Sequence, residues 1–405
     1  MINIAILGYG TVGSGVVEVI NLNGDSISKR CGQEINVKYV LDLRDFPGDK
    51  IQEKIVHDFN IIKNDPEVSI VVEVMGGVEP AFTFVKESIL SGKSVCTSNK
   101  ELVAKHGAYL LKLSKENNVN FLFEASVGGG IPIIRPLNQS LTADEIEEIT
   151  GILNGTTNYI LSKMSNEGLD FSTALKEAQE KGYAERNPEA DVEGYDACRK
   201  IAILSSLAFG MQVDFEDIYT EGISKITDID IKYAKALGAS IKLLGTSKKD
   251  GDHVYAMVAP MLIRPNHPLY SVNDVFNGIF VRGNVIGDVM FYGSGAGKLP
   301  TASAVVADVV DAAKHIGTNI MTIWSSKKLE LSHKTHAKYK FLIRMEKDNE
   351  TISKVHEEFG EVEEVHVDGI DNEYGFVTAL LSEEIYREKI EKLNGVINSI
   401  RVVFD

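Results

Sequence analysis

The chain has 405 residues, and 42 Lys+Arg against 58 Asp+Glu give a formal charge of −16, which disfavours a phosphate backbone and so a nucleic-acid partner. A hydrophobic fraction of 44% and a charged fraction of 25% are ordinary for a globular chain, and at ~100–200 residues per domain the length points to two to four domains. Three widely spaced cysteines, Cys31, Cys96 and Cys198, exclude a disulfide scaffold and a Cys-rich zinc site; no apolar run is long enough for a bilayer and no signal peptide is visible, so the expectation is a cytoplasmic protein with no membrane partner.

In chain order, Ile2-Asn3-Ile4-Ala5-Ile6-Leu7 reads as a buried strand, followed by Gly8-Tyr9-Gly10-Thr11-Val12-Gly13 and a helical run from Ser14 to Ile20. Ile35–Leu41 and Val68–Val74 are further strands, the second ended by Met75-Gly76-Gly77. A helix across Pro80–Ser91, a short strand Ser94–Thr97 and a strand Asn120–Phe123 complete an alternation that predicts a parallel sheet covered on both faces, an α/β Rossmann domain over 1–130. Gly128-Gly129-Gly130-Ile131-Pro132 is a turn-rich hinge. Beyond it, a strand Glu145–Ile152, helices Thr157–Met164, Leu169–Lys181 and Asp196–Phe209, and strands Val254–Met261, Gly278–Val285 and Gly287–Tyr292 predict an α+β domain over 131–325. No helical cover for those strands is evident in the sequence, so a second subunit is the expected one. The small-residue helix Ala302–His315, within 301–325, should return to the first domain. The tail, 336–405, reads as separable. Lys338–Met345, Thr351–Phe359, Val362–Val367, Tyr374–Leu381, Glu383–Leu393 and Ile400–Phe404 give a ferredoxin-like βαββαβ order.

The glycine turn lies between a buried strand and a helix, the context that makes GxGxxG a dinucleotide site. Gly8 makes the tight turn, Gly10 lets backbone approach a pyrophosphate, Gly13 allows close helix–strand packing, and Thr11 and Val12 open the helix whose free N–H groups face the anion. The end of the second strand selects the cofactor. It carries both Asp42, suited to the ribose hydroxyls of NAD, and Arg44, suited to a 2′-phosphate. Arginine pairs phosphate bidentately, so the reading favours NADP over NAD.

Two segments carry the chemistry. Cys96-Thr97-Ser98-Asn99-Lys100-Glu101-Leu102-Val103-Ala104 stands at a strand end, the edge where parallel sheets present ligands. Tyr183-Ala184-Glu185-Arg186-Asn187-Pro188 leads to Asp191 and to Asp196-Ala197-Cys198-Arg199-Lys200, where Asp196 and Lys200 share one helix face. Taken alone, such a pair is usually an exposed ion pair worth ~0.3–0.5 kcal/mol. With Gly151-Ile152-Leu153-Asn154-Gly155-Thr156-Thr157-Asn158-Tyr159 and Gly76-Gly77, these segments resemble homoserine dehydrogenase, with motifs in order from residue 1 to about 325; many members also carry a C-terminal ACT-like domain. The resemblance implies reduction of L-aspartate 4-semialdehyde to L-homoserine with NADPH or NADH, on the route to threonine and methionine, by a homodimer or homotetramer. It assigns Lys100 and Lys200 to the reacting carbonyl, and Glu185, Asp196, Asp191 and Thr156 to the substrate. Thr97, Ser98, Lys100 and Gly297, the last in the return loop Gly293-Ser294-Gly295-Ala296-Gly297, fall to the cofactor. Glu124, Val127, Gly129 and Ile131 fall to a monovalent cation, sodium.

The chemistry is consistent with those residue types. Hydride arriving at an aldehyde carbon puts negative charge on oxygen, and a lysine ammonium offers that oxygen both a cation and a proton. An amino-acid substrate needs carboxylates for its ammonium group. Two other readings compete. Aspartate-semialdehyde dehydrogenase acts on the same metabolite but needs an activated cysteine, for which Cys96 is the candidate. A non-catalytic sensor using the tail would have no use for Lys100, Glu185, Asp196 and Lys200 together. In the tail, Lys347-Asp348-Asn349-Glu350-Thr351 stands where effector-binding ACT domains often carry Asp-x-Pro-Gly, so the tail is expected to be structural rather than a tight threonine site.

Overall fold

The computed structural model describes residues 1–332 and 337–403. Packing divides them into two bodies. The first comprises Met1–Glu145, Ala202–Phe215 and Gly293–Leu329; the second comprises Ile146–Ile201, Glu216–Tyr292 and the chain from Glu330.

The first body is built on a six-stranded sheet in the order Ile55–Val56, Ile35–Leu41, Ile2–Leu7, Val68–Glu73, Ser94–Thr97, Phe121–Leu122. Every pairing is parallel. The strand order reverses beside Ile2–Leu7, which creates a switch point where a ligand crevice opens. Ile2–Leu7 and Val68–Glu73 are buried along nearly their whole length because helices cover both faces. The first helix runs well beyond the apolar run Ser14–Ile20. It spans Thr11–Cys31, passes a non-helical Asn23 and stops at a left-handed Gly32. Its Gly15 lies against the helix Lys298–Lys314: a Cβ there would stand 2.9 Å from the Lys298 carbonyl oxygen and 3.0 Å from the Ala302 Cβ. Ala302, Val305 and Val309 of that second helix share one core with Ile4, Ile6 and Val16. The segment after Ser98, legible in the sequence only as a motif, forms a helix, Lys100–Glu116, whose start is capped by the Asn99 side chain.

The second body holds an eleven-stranded sheet. Its path runs Gly287–Ser294, Phe276–Gly283, Ile146–Ile152, Ser240–Asp250, His253–Ile263, Val396–Val403, Lys338–Glu346, Glu373–Val377, Glu363–Val365. Ser240–Asp250 is a central strand, antiparallel to both neighbours, that no apolar alternation announced. The strands were expected to lack helical cover, and this is corrected: Gly155–Glu167 and Asp228–Ala236 pack on Ser240–Asp250.

The tail follows the expected βαββαβ order with one addition, a two-residue strand Leu381–Ser382 before the second helix; its helices are Asn349–Phe359 and Glu383–Ile390. Its last strand begins at Val396, earlier than expected. Phe404, the expected end of that strand, and residue 336, the expected domain start, lie outside the described residues. The expectation of a separable tail is also corrected. Val396–Val403 pairs antiparallel with Lys338–Glu346 and parallel with His253–Ile263, Arg401 standing opposite Met261, so one sheet runs through both parts. Arg344, fully inside, bridges Asp230 on one helix and Glu373 on the neighbouring strand.

Lys242, on the strand Ser240–Asp250, is 1% exposed. Its ammonium donates to the Val272 carbonyl at 2.6 Å, Asn273 Oδ1 at 2.9 Å and Asn158 Oδ1 at 3.3 Å. Burial pulls it down to about 8, whereas an unfolded lysine holds its proton to roughly pH 10.4. Between those values the unfolded chain binds more protons, so the stability that Lys242 confers rises with pH. The melting-temperature difference between the unchanged chain and Lys242→Met should therefore move in favour of the unchanged chain from about pH 7 to about pH 9.5. A flat or opposite trend would contradict this.

Candidate active site

At the switch point of the first body, Gly8 adopts φ +98°, and a Cβ on Gly13 would fall 2.0 Å from the Gly8 carbonyl oxygen. Only glycine at 13 lets the helix start this close to the strand end. A Cβ on Gly10, by contrast, would meet nothing within 4 Å. Gly10 precedes a helix with no side-chain cap, so the first-turn N–H groups around Thr11, Val12 and Gly13 are left for an anion. Gly297, at φ +119°, opens the helix Lys298–Lys314, which likewise has no side-chain cap. These features fit a dinucleotide.

Asp42 and Arg44, weighed in the sequence as alternatives, are brought together. The Asp42 carboxylate accepts from the Tyr9 amide at 2.8 Å, tying the glycine turn to the second strand. It also accepts from Arg44 Nε at 2.9 Å and Nη2 at 3.0 Å. The Arg44 fork holds the Asp42 carboxyl well below the usual carboxylate range. The Arg44 side chain stays 63% exposed and lies over the Phe46 ring.

Glu73, a residue the sequence did not single out, is fully buried at the next strand end. It accepts from the Met75 amide at 2.8 Å and from the Thr97 hydroxyl at 2.6 Å, and burial pushes its carboxyl up. Thr97 accepts in turn from the Asn99 amide at 2.9 Å, and Asn99 reaches the Gly77 carbonyl at 2.6 Å while capping the helix that begins at Lys100. The Thr97 side chain is thus occupied inside the loop, and any contact it makes with a cofactor runs through its backbone. Ser98 and Lys100 flank it, both half-buried.

The Glu124 carboxylate accepts from the amides of Ile133, Ile134 and Arg135 at 2.6, 2.8 and 2.7 Å. Asp308 accepts from the Glu124 amide at 2.8 Å and pairs with the Arg135 guanidinium, which also donates to Asp311 at 3.1 Å. Three N–H groups take up most of the acceptor capacity of the Glu124 carboxylate, which leaves its carbonyl oxygen as the better ligand for a cation. Among the described residues no cluster of His, Cys, Asp or Glu side chains could hold a metal. Gly129, at φ +57°, lies against the Gly295 backbone, and the Gly130 amide donates to the Ser294 carbonyl at 3.0 Å, which joins the two glycine-rich loops.

In the second body, Asp196 and Lys200 form a buried pair, Nζ to Oδ2 2.7 Å, with Asp196 4% and Lys200 9% exposed. The Lys200 ammonium also donates to the Leu153 carbonyl at 2.8 Å. Asn154, which follows the strand Ile146–Ile152 and caps the helix Gly155–Glu167, donates to Asp191 at 2.7 Å and to Asp196 at 2.9 Å. One amide thereby sets the spacing of two carboxylates. It stood in the quoted motif without an assigned role. Thr156 donates to the Tyr183 carbonyl at 2.6 Å, fastening the loop that carries Glu185, whose side chain is exposed. Burial pushes the thiols of Cys96 and Cys198 up, Cys96 having no exposed surface at all, so neither is a ready nucleophile.

Known proteins place this geometry in context. The family model described as "Homoserine dehydrogenase, NAD binding domain" matches residues 8–124, and the model "Homoserine dehydrogenase" matches residues 132–310. Homoserine dehydrogenase of Bacillus subtilis is 44% identical over 322 residues, covering 78% of this chain and 73% of its own length. That of Synechocystis is 47% identical over 316 residues, covering 76% and 73%. Among solved structures, a homoserine dehydrogenase from Thiobacillus denitrificans superimposes with a TM-score of 0.89 at 35% identity, covering 99% of this chain and 98% of that one. A hyperthermophilic archaeal homoserine dehydrogenase in complex with NADPH gives 0.66 at 30% identity, covering 77% and 97%. With two thirds of each curated relative exceeded at well over 30% identity, the chain belongs to the homoserine dehydrogenase family.

Proposed function

We propose that the chain reduces L-aspartate 4-semialdehyde to L-homoserine, in the biosynthesis of threonine and methionine, with Lys200 as the proton-donating residue. The observation that carries this is the buried Asp196–Lys200 pair with Asn154 across Asp191 and Asp196. A buried ammonium at this place can hold the carbonyl oxygen as negative charge develops and deliver a proton to it. Asp191, Asp196 and the exposed Glu185 offer acceptors to the substrate ammonium, and Thr156 holds their loop. Lys100 is the second proposed catalytic lysine, presented at the first turn of its helix. Bound at the glycine turn, a reduced nicotinamide supplies the hydride. The residues proposed for it are Gly8, Gly10, Thr11, Val12, Gly13, Thr97, Ser98, Lys100 and Gly297, with Arg44 as the group that favours NADP. A sodium ion held by main-chain oxygens of Glu124, Val127, Gly129 and Ile131 is part of the proposal, since oxygen ligands suit such a cation. So is a homodimer or homotetramer, supported by exposed Phe276, Met290 and Tyr292 at the edge of the large sheet. No helix among the described residues is long and apolar enough to cross a membrane.

The deciding experiment follows NADPH absorbance on addition of aspartate semialdehyde. Lys200→Ala should lower kcat by ~10²–10⁴ while NADPH binding stays the same, because a positioned acid contributes in that range. Turnover near that of the unchanged chain would rule the role out. Arg44→Ala should weaken NADPH by about 1–3 kcal/mol, the loss of a charge-assisted contact, and leave NADH almost untouched. Equal losses for both cofactors would mean that Arg44 only supports Asp42.

The tail is proposed as an ACT-like domain that does not bind threonine tightly. Asp348 caps the helix Asn349–Phe359 by accepting from the Thr351 amide at 2.8 Å, and the Thr351 hydroxyl donates to the same carboxylate. The helix start is already supplied with an anion, and Glu350 adds another negative charge beside it. Initial rates titrated with L-threonine should show half-inhibition no tighter than about millimolar. Cooperative inhibition at micromolar threonine would refute this.

A further inference from the structure

We propose that Arg401, on the last strand of the tail, is a positioning residue for the substrate loop and acts through Glu221. The inference rests on the reading that Asp191 and Asp196 face the substrate. Arg401 is 6% exposed, and its Nη1 donates to Glu221 Oε2 at 2.8 Å. The rest of its fork is fixed by Glu383. The Tyr219 hydroxyl donates to the same Glu221 oxygen at 3.1 Å, and the Tyr219 ring lies 5.2 Å under the guanidinium. One Glu221 carboxylate oxygen therefore takes two donors, Arg401 from the tail and Tyr219 from its own segment.

The backbone around Glu221 carries that constraint onward. Its amide donates to the Val258 carbonyl at 2.8 Å, continuing the pairing of Tyr219–Thr220 with Met257 and Val258. The next residue, Gly222, has no room for a side chain: a Cβ would fall 2.3 Å from the Val192 carbonyl oxygen and 2.5 Å from the Glu193 Cα. The Ile223 amide then donates to the Val192 carbonyl at 2.8 Å. On the other side of the contact, Gly194 takes φ +81°, and a Cβ there would meet Thr220 Cγ2 at 3.2 Å. Residues 192–194 are thus clamped by residues 220–223, through backbone at Gly222 and Ile223 and through the Thr220 methyl at Gly194. They are also part of the short link between Asp191 and Asp196, the two carboxylates that Asn154 holds together. A shift of Glu221 has no slack to absorb it before it reaches that link. Arg401 touches none of the proposed substrate groups and acts only through this path.

The test uses the full chain with Glu221→Gln and Arg401→Lys, kinetics varied separately in aspartate semialdehyde and NADPH, and hydrogen exchange at the amides of residues 192–194. Glu221→Gln keeps the shape of the side chain and removes the charge. It should raise the KM for the semialdehyde about 3- to 30-fold, the span of coupling energies carried by such networks, and speed exchange at 192–194. The KM for NADPH should stay within about twofold, because the change is confined to the second body's loop. Arg401→Lys keeps the charge but loses the fork, so its semialdehyde KM should fall between the two. An unmoved semialdehyde KM in Glu221→Gln overturns the inference, as does an equal rise in both KM values, which would report general loosening. Absence of turnover in the unchanged chain would instead overturn the functional reading, and this inference with it.

Discussion

A carboxylate taken out of water must be met by donors at once, and both bodies are arranged around that requirement. Glu124 is met by three consecutive amides, which fixes where the chain turns after the Gly128–Gly130 hinge. Glu73 is met by an amide and a hydroxyl, which fixes the loop that presents Lys100. Asp196 is met by Asn154 and by Lys200, and here the donor is itself a group that can do chemistry. Removing one partner from such a cluster leaves a buried charge uncompensated, at a cost of about 3–5 kcal/mol. That cost keeps the geometry single-valued, so Lys200 is held in one place by Asp196 and the Leu153 carbonyl.

Under the proposed function, the two bodies meet opposite recognition problems with different parts of the chain. A dinucleotide presents phosphates, and the first body answers with main-chain N–H groups at helix starts that no side chain caps. An amino acid presents an ammonium, and in the proposed reading the second body meets it with carboxylates on a helix and its preceding loop. Glycine is required in the first case because backbone must come close. In the second, an asparagine is required because one amide has to reach two acids. The Asp42–Arg44 pair belongs to neither type alone. Its acid is directed to the glycine turn while its base keeps an open face.

Much of this was legible in the sequence wherever one residue type has few other uses. Gly8, Gly10 and Gly13 between an apolar strand and a helix left little choice of fold, and the 96–104 and 183–200 motifs pointed to the residues around Lys100, Asp196 and Lys200. The rest depends on partners far away in the chain. Ser240–Asp250 mixes lysine, serine and threonine with isoleucine and leucine in no clear period, and its Lys242 reads as a surface charge until Val272 and Asn273 fold onto it. The Thr97 side chain is tied into its loop by Glu73, a partner that nothing local shows. The join of tail to middle sheet rests on Arg401 standing opposite Met261, a register that no local pattern encodes. Glu221 and Asn154 were passed over for the same reason: each matters through a neighbour that only the fold supplies.

The placement of Val396–Val403 has a further consequence, for the order of assembly. This strand lies in the interior of the large sheet, between His253–Ile263 and Lys338–Glu346. It also comes far later in the chain than His253–Ile263, its parallel neighbour. Until it arrives, His253–Ile263 has an open edge where Met261, Leu262 and Ile263 should be paired, and the large sheet is broken in two. Pairings across such long stretches of sequence form slowly, and unpaired edges invite aggregation while they wait. The first sheet, whose strands are complete by Leu122, carries no such delay. Synthesis of this chain therefore produces a nearly finished parallel sheet tethered to an unfinished antiparallel one, and the interval between the two is when it most depends on protection from other chains.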